Sequence, residues 1–272
     1  MYKLLALDMD GTALSSDNSL SPYLQSVLKE VSRKIDVIFA TGRHHIAVEP
    51  YQRMLNLTTP SICCNGTYVF DFSTHKIVMG TGLKKKDALQ FYQMVSKADI
   101  KHALYVEDAI FYSLSSPPNY IDRLAKWSLS LPTDSRPKIE VIDSFKKAIS
   151  GTQHVWKLLL EGQHSDLEAI IKDNWVKKTF SLERSWSNRV DCVPIGNSKG
   201  NRLAQYISTI GVKPEEVVAA GDNYNDLSMI IMSGLGIAME NAKPSVKKQA
   251  DIICSTDNNG HGLARLIEEL FL

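Results

Sequence analysis

The sequence predicts an α/β protein with a mostly parallel sheet, helices on both sheet faces, and an inserted α+β domain. Short apolar runs that end in polar residues alternate with amphipathic segments, which is typical of parallel sheets covered by helices. The length of 272 residues exceeds what one hydrophobic core usually encloses. Residues 83–191 differ, because paired short apolar runs there indicate hairpins. We therefore predict a core domain from 1–82 and 192–272 and an inserted domain from 83–191.

The first predicted strand, residues 2–7, runs directly into Asp8-Met9-Asp10-Gly11-Thr12. Alternate residues of an extended chain point to the same side, so Asp8 and Asp10 face one spot, and Gly11 allows the backbone to turn beyond them. Two such carboxylates repel unless a proton or cation lies between them, and Mg²⁺ suits two carboxylates plus a phosphate oxygen. One carboxylate can then attack phosphorus while the other transfers protons. A loop or helix cap that carries two Asp is the alternative.

Two later segments carry groups that suit a phosphate. The predicted strand over 36–40 ends in Thr41 and Gly42, where a hydroxyl and the free backbone N–H groups of a following helix can cradle an anion; a simple helix cap is the alternative. Lys199 opens a predicted helix over 199–210. A cation is disfavoured at a helix N-terminus, so Lys199 is placed for a partner, unless it is a solvated lysine.

The predicted strand over 217–221 delivers a third carboxylate, Asp222, followed closely by Asn225 and Asp226. Open α/β sheets bind ligands at the carboxyl ends of their strands, so we predict Asp222 as a metal ligand. Asn225 would donate to phosphate, and Asp226 would hold Lys199 or a metal-bound water. An Asx-rich turn with Asp226 as a helix cap is the alternative.

Taken in order, these four segments resemble the haloacid dehalogenase superfamily of phosphohydrolases. DxDGT after the first strand, Thr-Gly-Arg after the second, a single Lys well along the chain and GDNxND soon after it look like the four motifs of that superfamily. The long insert and Ile62-Cys63-Cys64-Asn65-Gly66 resemble its Cof-type branch, which has a Rossmann-like core and a large type IIB cap. Within that branch the chain is similar to bacterial phosphatases that act on sugar phosphates and pyridoxal phosphate.

The resemblance implies a Mg²⁺-dependent phosphatase in which Asp8 is the nucleophile and Asp10 is the general acid and base. It assigns Mg²⁺ to Asp8, Asp10 and Asp222. It assigns the phosphoryl group to the main chain of Met9 and to Thr41, Gly42, Lys199 and Asn225. A phosphomutase of the same superfamily and a catalytically silent metabolite-binding protein remain alternatives.

The sequence departs from the superfamily pattern in two places. The usual Leu after DGT stands one place later as Leu14, and the acidic stretch near the C-terminus is replaced by residues 258–262, Asn-Asn-Gly-His-Gly. We expect the second change to alter how the substrate is held at the entrance of the site. Candidate contacts for the leaving group are basic, aromatic or amide side chains, with ordinary packing as the alternative for each. They are His44, His45, Asn65, Arg184, Trp186 and Arg189.

Composition agrees with an enzyme that acts on a small phosphorylated metabolite. The chain is 44% hydrophobic and 22% charged, and its net charge of +1 gives no reason to expect nucleic acid. The four cysteines lack CxxC spacing and are predicted to be reduced core residues. No apolar stretch approaches the roughly 20 residues of a membrane span, and a strand at the N-terminus leaves no room for a signal peptide. We therefore expect a cytoplasmic protein without a membrane or obligate protein partner.

The remaining elements are predicted from hydrophobic periodicity and turn residues. In the core these are a helix within 18–32, a strand at 61–64, a hairpin over 68–79, a strand at 236–239, a helix from Pro244, a strand within 250–254 and a helix from Leu263. In the insert these are a helix at 85–98, a hairpin over 103–113, a helix at 119–128, a strand or loop near 139–142, a strand at 155–160, a helix at 166–172 and a hairpin over 178–192. Helices over an antiparallel sheet are expected there.

Overall fold

In the computed structural model of this chain, residues 1–186 and 188–272 are described, and the side chains of Ser185 and Trp186 lie outside the described part. The contacts of the described residues divide the chain into two compact units. The core unit comprises Met1–Arg43, Tyr51–Met79 and Ser198–Leu272, and the insert unit comprises His44–Pro50 and Gly80–Asn197. The sequence did not indicate that the short segment His44–Pro50 packs with the insert.

The first part of the chain begins with alternating strands and helices and ends with three strands in succession. Its elements are β1 (Leu4–Leu7), α1 (Pro22–Val31), β2 (Asp36–Phe39), α2 (Glu49–Leu55), β3 (Ser61–Cys63), β4 (Tyr68–Asp71) and β5 (Lys76–Gly80). Helix α1 begins later than the predicted region at 18, because Asn18 has a left-handed φ of 64°. Ser21 then caps the helix by accepting from the backbone N–H of Leu24, and Pro22 occupies the first turn.

The insert unit combines helices with its own sheet. Its elements are α3 (Lys85–Lys97), β6 (Lys101–Tyr105), β7 (Ile110–Tyr112), α4 (Asn119–Leu129), β8 (Ile139–Val141), α5 (Phe145–Gly151), β9 (Lys157–Glu161), α6 (His164–Lys172), α7 (Asn174–Thr179), β10 (Phe180–Trp186) and β11 (Arg189–Pro194). The sheet order is β10-β11-β9-β6-β7-β8. The expectation of a purely antiparallel sheet is wrong in one place, because β8 pairs with β7 in parallel.

Helices α5 and α7 were missed from the sequence. Each is shorter than the window in which helical periodicity can be recognised. Both have a side-chain cap: Ser144 accepts from the N–H of Lys147, and Asp173 accepts from the N–H groups of Trp175 and Val176. These helices join α3 and α6 in covering the apolar face of the sheet. The buried side chains of this cluster include Phe91, Phe145, Ile149, Leu158, Leu160, Leu167 and Val176.

The last part of the chain returns to the core unit. Its elements are α8 (Lys199–Thr209), β12 (Val217–Gly221), α9 (Leu227–Met232), β13 (Leu235–Ala238), α10 (Pro244–Gln249), β14 (Ile252–Ile253) and α11 (Gly262–Phe271). Among the described helices of the whole chain, none is long and apolar enough to cross a membrane.

The core sheet has the order β14-β13-β12-β1-β2, and its neighbouring strands pair in parallel, which confirms the predicted parallel α/β fold. In the register of the central strand, Leu7 lies beside Ala220 of β12 and Phe39 of β2. All three strands therefore end at the same edge. The residues that follow them, Asp8, Asp222 and the stretch that leads to Thr41, are delivered to one place.

Both faces of the central strand β1 are buried. Leu4 and Ala6 belong to a core cluster with Leu203 of α8 and Met229 of α9. Leu5 and Leu7 point to the opposite face, because side chains alternate along a strand, and they are also fully buried. Each fully buried side chain of this size contributes about 1.5–3 kcal/mol to the stability of the fold, so the strand that carries Asp8 is well packed on both faces.

Candidate active site

The centre of the candidate site is a buried lysine between two carboxylates. Lys199 Nζ lies 2.5 Å from Asp8 Oδ1 and 2.6 Å from Asp226 Oδ1, and its side chain is fully buried. The sequence placed Lys199 at the start of a helix, and α8 begins at this residue. Ser198 caps the helix by accepting from the N–H of Asn201. The side chain of Lys199 takes no part in the cap and contacts the two carboxylates instead.

Three carboxylates form a group that can hold a metal ion. Asp8, Asp222 and Asp226 each offer one oxygen, and these oxygens lie within 4.8 Å of one another. Thr12 Oγ1 donates to Asp222 Oδ1 over 3.2 Å. Gly11 is required here, because its φ is 88° and a Cβ atom would lie 2.7 Å from Asp222 Oδ2. Several carboxylate oxygens around one point are the donor set that suits a hard cation such as Mg²⁺.

Asp226 serves mainly to hold its neighbours. Its Oδ1 binds Lys199, and its Oδ2 accepts from the backbone N–H groups of Asp222 and Asn223 at 3.0 and 2.9 Å. These bonds orient the turn after β12, which carries Asp222. The sequence predicted that Asp226 would hold Lys199 or a metal-bound water, and the structure brings Asp226 and Lys199 together.

The electrostatics of the cluster favour a bound cation. Burial, followed by the negative charge of Asp226, raises the pKa of Asp8 to about 7, although Lys199 opposes the shift. Burial and the charges of Asp8 and Asp226 raise the pKa of Asp222 to about 9. Burial disfavours the charge of Lys199, but the two carboxylates outweigh it and raise the pKa of the lysine. One lysine therefore does not neutralise three carboxylates, and a divalent cation would complete the balance.

The carboxylate of Asp10 is bound to Arg43, which was not foreseen. Arg43 Nε donates to Asp10 Oδ2 over 2.8 Å, and its Nη2 donates to Oδ1 over 2.6 Å. Among the described residues, the group of carboxylates that could hold a metal contains Asp226 where the sequence placed Asp10. Asp10 still lies near enough for its charge to raise the pKa of Asp8. Its roles as metal ligand and as general acid and base stay predictions.

The predicted helix start at Gly42 is wrong. The N–H of Thr41 bonds to the carbonyl of Ile62 over 2.9 Å, and Thr41 Oγ1 accepts from the N–H of Arg43 over 3.1 Å. The next helical turn, His45–Ala47, is a short 3₁₀ helix that precedes α2. Free N–H groups of a helix therefore do not form the cradle at Thr41. The hydroxyl of this buried residue keeps its own hydrogen as a donor.

Asn65 links the Thr41 segment to Asn225. Its N–H donates to the carbonyl of Thr41 over 2.9 Å, and its Oδ1 accepts from Asn225 Nδ2 over 3.0 Å. Asn65 has a φ of 57°, a left-handed conformation that Asn adopts more readily than most residues. Arg202 Nε holds the loop by donating to the carbonyl of Gly66 over 2.7 Å. An amide carries two N–H donors, so Asn225 keeps one for the phosphate contact that the sequence predicted.

The main chain of the first motif is also held from the C-terminal part of the chain. Asn241 Nδ2 donates to the carbonyl of Gly11, and Asn258 Nδ2 donates to the carbonyl of Leu14, both over 2.8 Å. Asn258 N–H in turn bonds to Asn241 Oδ1 over 3.1 Å. The departure from the superfamily pattern at Asn258 therefore acts on the loop after Asp10. Met9, predicted to bind phosphate through its main chain, accepts from the N–H of Leu14 in the same loop.

The candidate histidines belong to the insert unit. The ring of His44 is fully buried, and its Nε2 lies 2.6 Å from the carbonyl of Val106. Burial lowers the pKa of His44 to about 4, so this ring is neutral at physiological pH. His45 is buried beside it, with ring centroids 4.4 Å apart. Their contact with a substrate stays a prediction.

The arginines of the last insert hairpin have partners within the insert. Arg184 pairs with Glu168, and the guanidinium of Arg189 lies 4.1 Å from the ring centroid of Tyr120. Trp186 was also predicted as a contact, but its side chain lies outside the described residues. The substrate roles of these three residues stay predictions.

Sequence reasoning missed a buried ion pair in the insert sheet. Lys157 Nζ lies 2.8 Å from Asp191 Oδ2, and both side chains are at most 5% exposed. Lys157 Nζ also lies 4.3 Å from the ring centroid of Tyr105. The available signal was a charged residue inside each of two apolar strands. Buried charges are rarely tolerated without a partner, so two such strands can be expected to pair them.

The chain belongs to the family of haloacid dehalogenase-like hydrolases, whose model matches residues 5–267. Pyridoxal phosphate phosphatase YbhA from Escherichia coli is 35% identical over 97% of both chains. An HMP-PP phosphatase from Serratia proteamaculans is 28% identical over 91% of this chain and 87% of that protein. A haloacid dehalogenase-like hydrolase from Bacteroides thetaiotaomicron has the same fold, with a TM-score of 0.86, 27% identity and full coverage of both chains.

These matches confirm the resemblance to Cof-type phosphatases and the fold of a core with an inserted domain. As a member of this family whose relatives are phosphatases, the protein is a phosphoric monoester hydrolase.

Proposed function

We propose that this protein is a Mg²⁺-dependent phosphatase that hydrolyses small phosphomonoesters through a phosphoryl-aspartate on Asp8. The observation that carries the proposal is the contact of Lys199 with Asp8 inside a group of three carboxylates. Lys199 holds Asp8 Oδ1 and favours the ionised form, so Oδ2 is the oxygen that we assign to attack phosphorus. The carboxyl ends of the parallel strands place this oxygen at the edge of the sheet.

The reaction then has two halves. In the first, Asp8 Oδ2 forms a bond to phosphorus, the bond from phosphorus to the leaving oxygen breaks, and Asp10 gives its proton to that oxygen. In the second, Asp10 takes a proton from water, the water oxygen bonds to phosphorus, and the bond to Asp8 breaks, which releases phosphate. Residues assigned to hold the phosphoryl oxygens are Met9, Thr41, Gly42, Lys199 and Asn225.

We assign Asp8 and Asp222 to hold Mg²⁺, together with Asp10 as the sequence predicts and with Asp226 close by. The charge imbalance of the buried carboxylates supports this assignment. When bound, Mg²⁺ supplies positive charge that stabilises the transferring phosphoryl group.

We propose pyridoxal phosphate and sugar phosphates as the substrate classes. The relative from Escherichia coli, named for pyridoxal phosphate, supports the first class, and both classes are small monoesters of an alcohol. The test is phosphate release by the purified protein from a panel of pyridoxal phosphate, sugar phosphates and nucleotides. We expect turnover of at least one member of the two classes to exceed that of every nucleotide. Release of free phosphate only in the presence of a bisphosphate activator would indicate a phosphomutase. No release of phosphate from any substrate would indicate a binding protein. Either outcome would overturn the proposal.

Removal of the metal should abolish activity, and its effect on stability should depend on pH. Chelation by EDTA should stop phosphate release, and excess Mg²⁺ should restore it. Carboxylates with raised pKa values destabilise the metal-free fold increasingly as pH rises through those values, and metal binding requires them to be ionised. The gain in melting temperature with Mg²⁺ should therefore grow from about pH 5.5 to about pH 8. Full activity in metal-free buffer, or a gain that is equal at both pH values, contradicts the assignment.

A further inference from the structure

We propose that Arg43 is a positioning residue that orients the carboxyl group of Asp10 for proton transfer, and that Asn18 and Tyr51 hold Arg43 in place. The inference rests on the proposed function, because Arg43 has this role only if Asp10 transfers protons. It assigns a function to the third residue of the Thr-Gly-Arg segment, which the four motifs left without one.

The contact between Arg43 and Asp10 has the geometry of a fork. Two N–H groups of one planar guanidinium bind the two oxygens of one carboxylate, at 2.8 and 2.6 Å. Two parallel bonds fix both the direction of the carboxyl plane and its rotation, which a single bond cannot do. The side chain of Asp10 is 51% exposed and that of Arg43 is 3% exposed. Packing therefore fixes the arginine, and the arginine fixes the carboxylate.

A second set of contacts explains why Arg43 itself stays in place. Its Nη2 also donates to Asn18 Oδ1 over 2.5 Å, and its Nη1 donates to the hydroxyl of Tyr51 over 3.4 Å. Tyr51 in α2 donates that hydroxyl to the carbonyl of Asn18 over 2.7 Å. The guanidinium carbon lies 5.5 Å from the centroid of the Tyr51 ring. The loop before α1 and the helix α2 thus meet on the arginine.

The chemistry of guanidinium suits a positioning role. Arg43 does not give up a proton at any physiological pH, so it cannot be the acid itself. When Asp10 carries a proton on one oxygen, the other oxygen still accepts from Arg43. One bond of the fork therefore persists while Asp10 is protonated, and both bonds are available again once the proton has passed to the leaving oxygen. Without Arg43, a half-exposed carboxyl group would adopt many orientations, and in most of them it could not transfer a proton to the leaving oxygen.

The test compares two leaving groups in the variant Arg43→Met. An alkoxide needs a proton in order to leave, whereas p-nitrophenolate leaves without one, and kcat/KM reports the steps that include departure of the leaving group. For the best alkyl phosphomonoester of the substrate panel we expect kcat/KM to fall about 100-fold, mainly through kcat. For p-nitrophenyl phosphate we expect a loss of less than about 5-fold. Arg43→Lys keeps the charge but not the fork, so it should show the same selective loss.

A second variant guards against failure of Arg43→Met to fold. Asn18→Gly tolerates the left-handed φ at this position and removes the oxygen that binds Nη2, so a selective loss of about 5-fold to 10-fold is expected. Arg33→Met, an exposed arginine just after α1, is the matched control and should behave like the wild type. Equal losses for both leaving groups in the Arg43 and Asn18 variants, or a rise in KM alone, would overturn the inference. A rise in KM alone would indicate that Arg43 binds the phosphate group of the substrate.

The variant Asp10→Asn separates this inference from the proposed function. Its kcat/KM should fall far more for the alkyl ester than for p-nitrophenyl phosphate. If it does so and the Arg43 and Asn18 variants do not, the role of Arg43 fails while that of Asp10 stands. If Asp10→Asn itself shows no such selectivity, the proposed role of Asp10 fails, and with it the inference on Arg43.

Discussion

Asp8→Asn should lose at least about 10⁴-fold in phosphate release, because an amide oxygen is a very poor nucleophile and no phosphoryl-aspartate can form. The fold should survive. Burial raises the pKa of Asp8 to about 7, so its ionised form costs folding free energy that a neutral amide does not. In metal-free buffer at about pH 8 the variant should therefore melt no lower than the wild type. Phosphate release and differential scanning calorimetry check the two statements.

The matched control for this experiment is Glu30→Gln, which makes the same change from carboxylate to amide at an exposed position of α1. It should keep wild-type turnover and melting temperature. Near wild-type turnover by Asp8→Asn would show that another residue attacks phosphorus. A marked drop in its melting temperature would show that the ionised carboxylate stabilises the fold, contrary to the electrostatics of the cluster.

Lys199→Met should have the largest effect on stability. It leaves Asp8 and Asp226 buried without their shared cation, and breaking a buried ion pair in this way typically costs about 3–5 kcal/mol. The pKa of Lys199 is raised, so the lysine stays charged through the neutral range, whereas the pKa of Asp8 is about 7, so Asp8 is ionised at about pH 8 and largely protonated at about pH 5. Protonation of Asp8 at acid pH removes one of the two buried charges that the variant leaves without a cation. The deficit should therefore be smaller at about pH 5 than at about pH 8.

Urea unfolding without metal at both pH values measures the effect of Lys199→Met, and phosphate release should be abolished in parallel. Lys29→Met removes an exposed lysine of α1 and should change the unfolding free energy by less than about 0.5 kcal/mol. A loss below about 1 kcal/mol for Lys199→Met, equal at both pH values, would mean that the cluster does not depend on the lysine.

The centre of the candidate site was predictable because it depends on backbone direction. A parallel sheet brings the residues after its strands to one edge, so Asp8 and Asp222 were expected together before any side chain was placed. Lys199 followed from its unfavourable position at the start of α8. The fork between Arg43 and Asp10 depends instead on side-chain rotamers and on the loop at Asn18, which no periodicity encodes.

The insert was predicted less well for a related reason. Long, strongly periodic elements such as α3 and α4 were found within a residue or two of their ends. The parallel pairing of β7 with β8 joins strands separated by a helix and a loop, and hydrophobic patterns do not record which strand is the neighbour. The non-helical stretch between Thr41 and the 3₁₀ turn before α2 was missed, because Thr and Gly are equally common in a helix cap and in an extended turn.

The segment His44–Pro50 changes how this protein can be recombined with its relatives. The chain leaves the core unit after Arg43 and re-enters it at Tyr51, long before the main insert begins. Transplanting residues 83–191 alone would separate His44 from the carbonyl of Val106 and leave a ring without the burial that keeps it neutral. A chimera designed to exchange substrate preference should therefore take both the short segment and the long insert from the same parent protein.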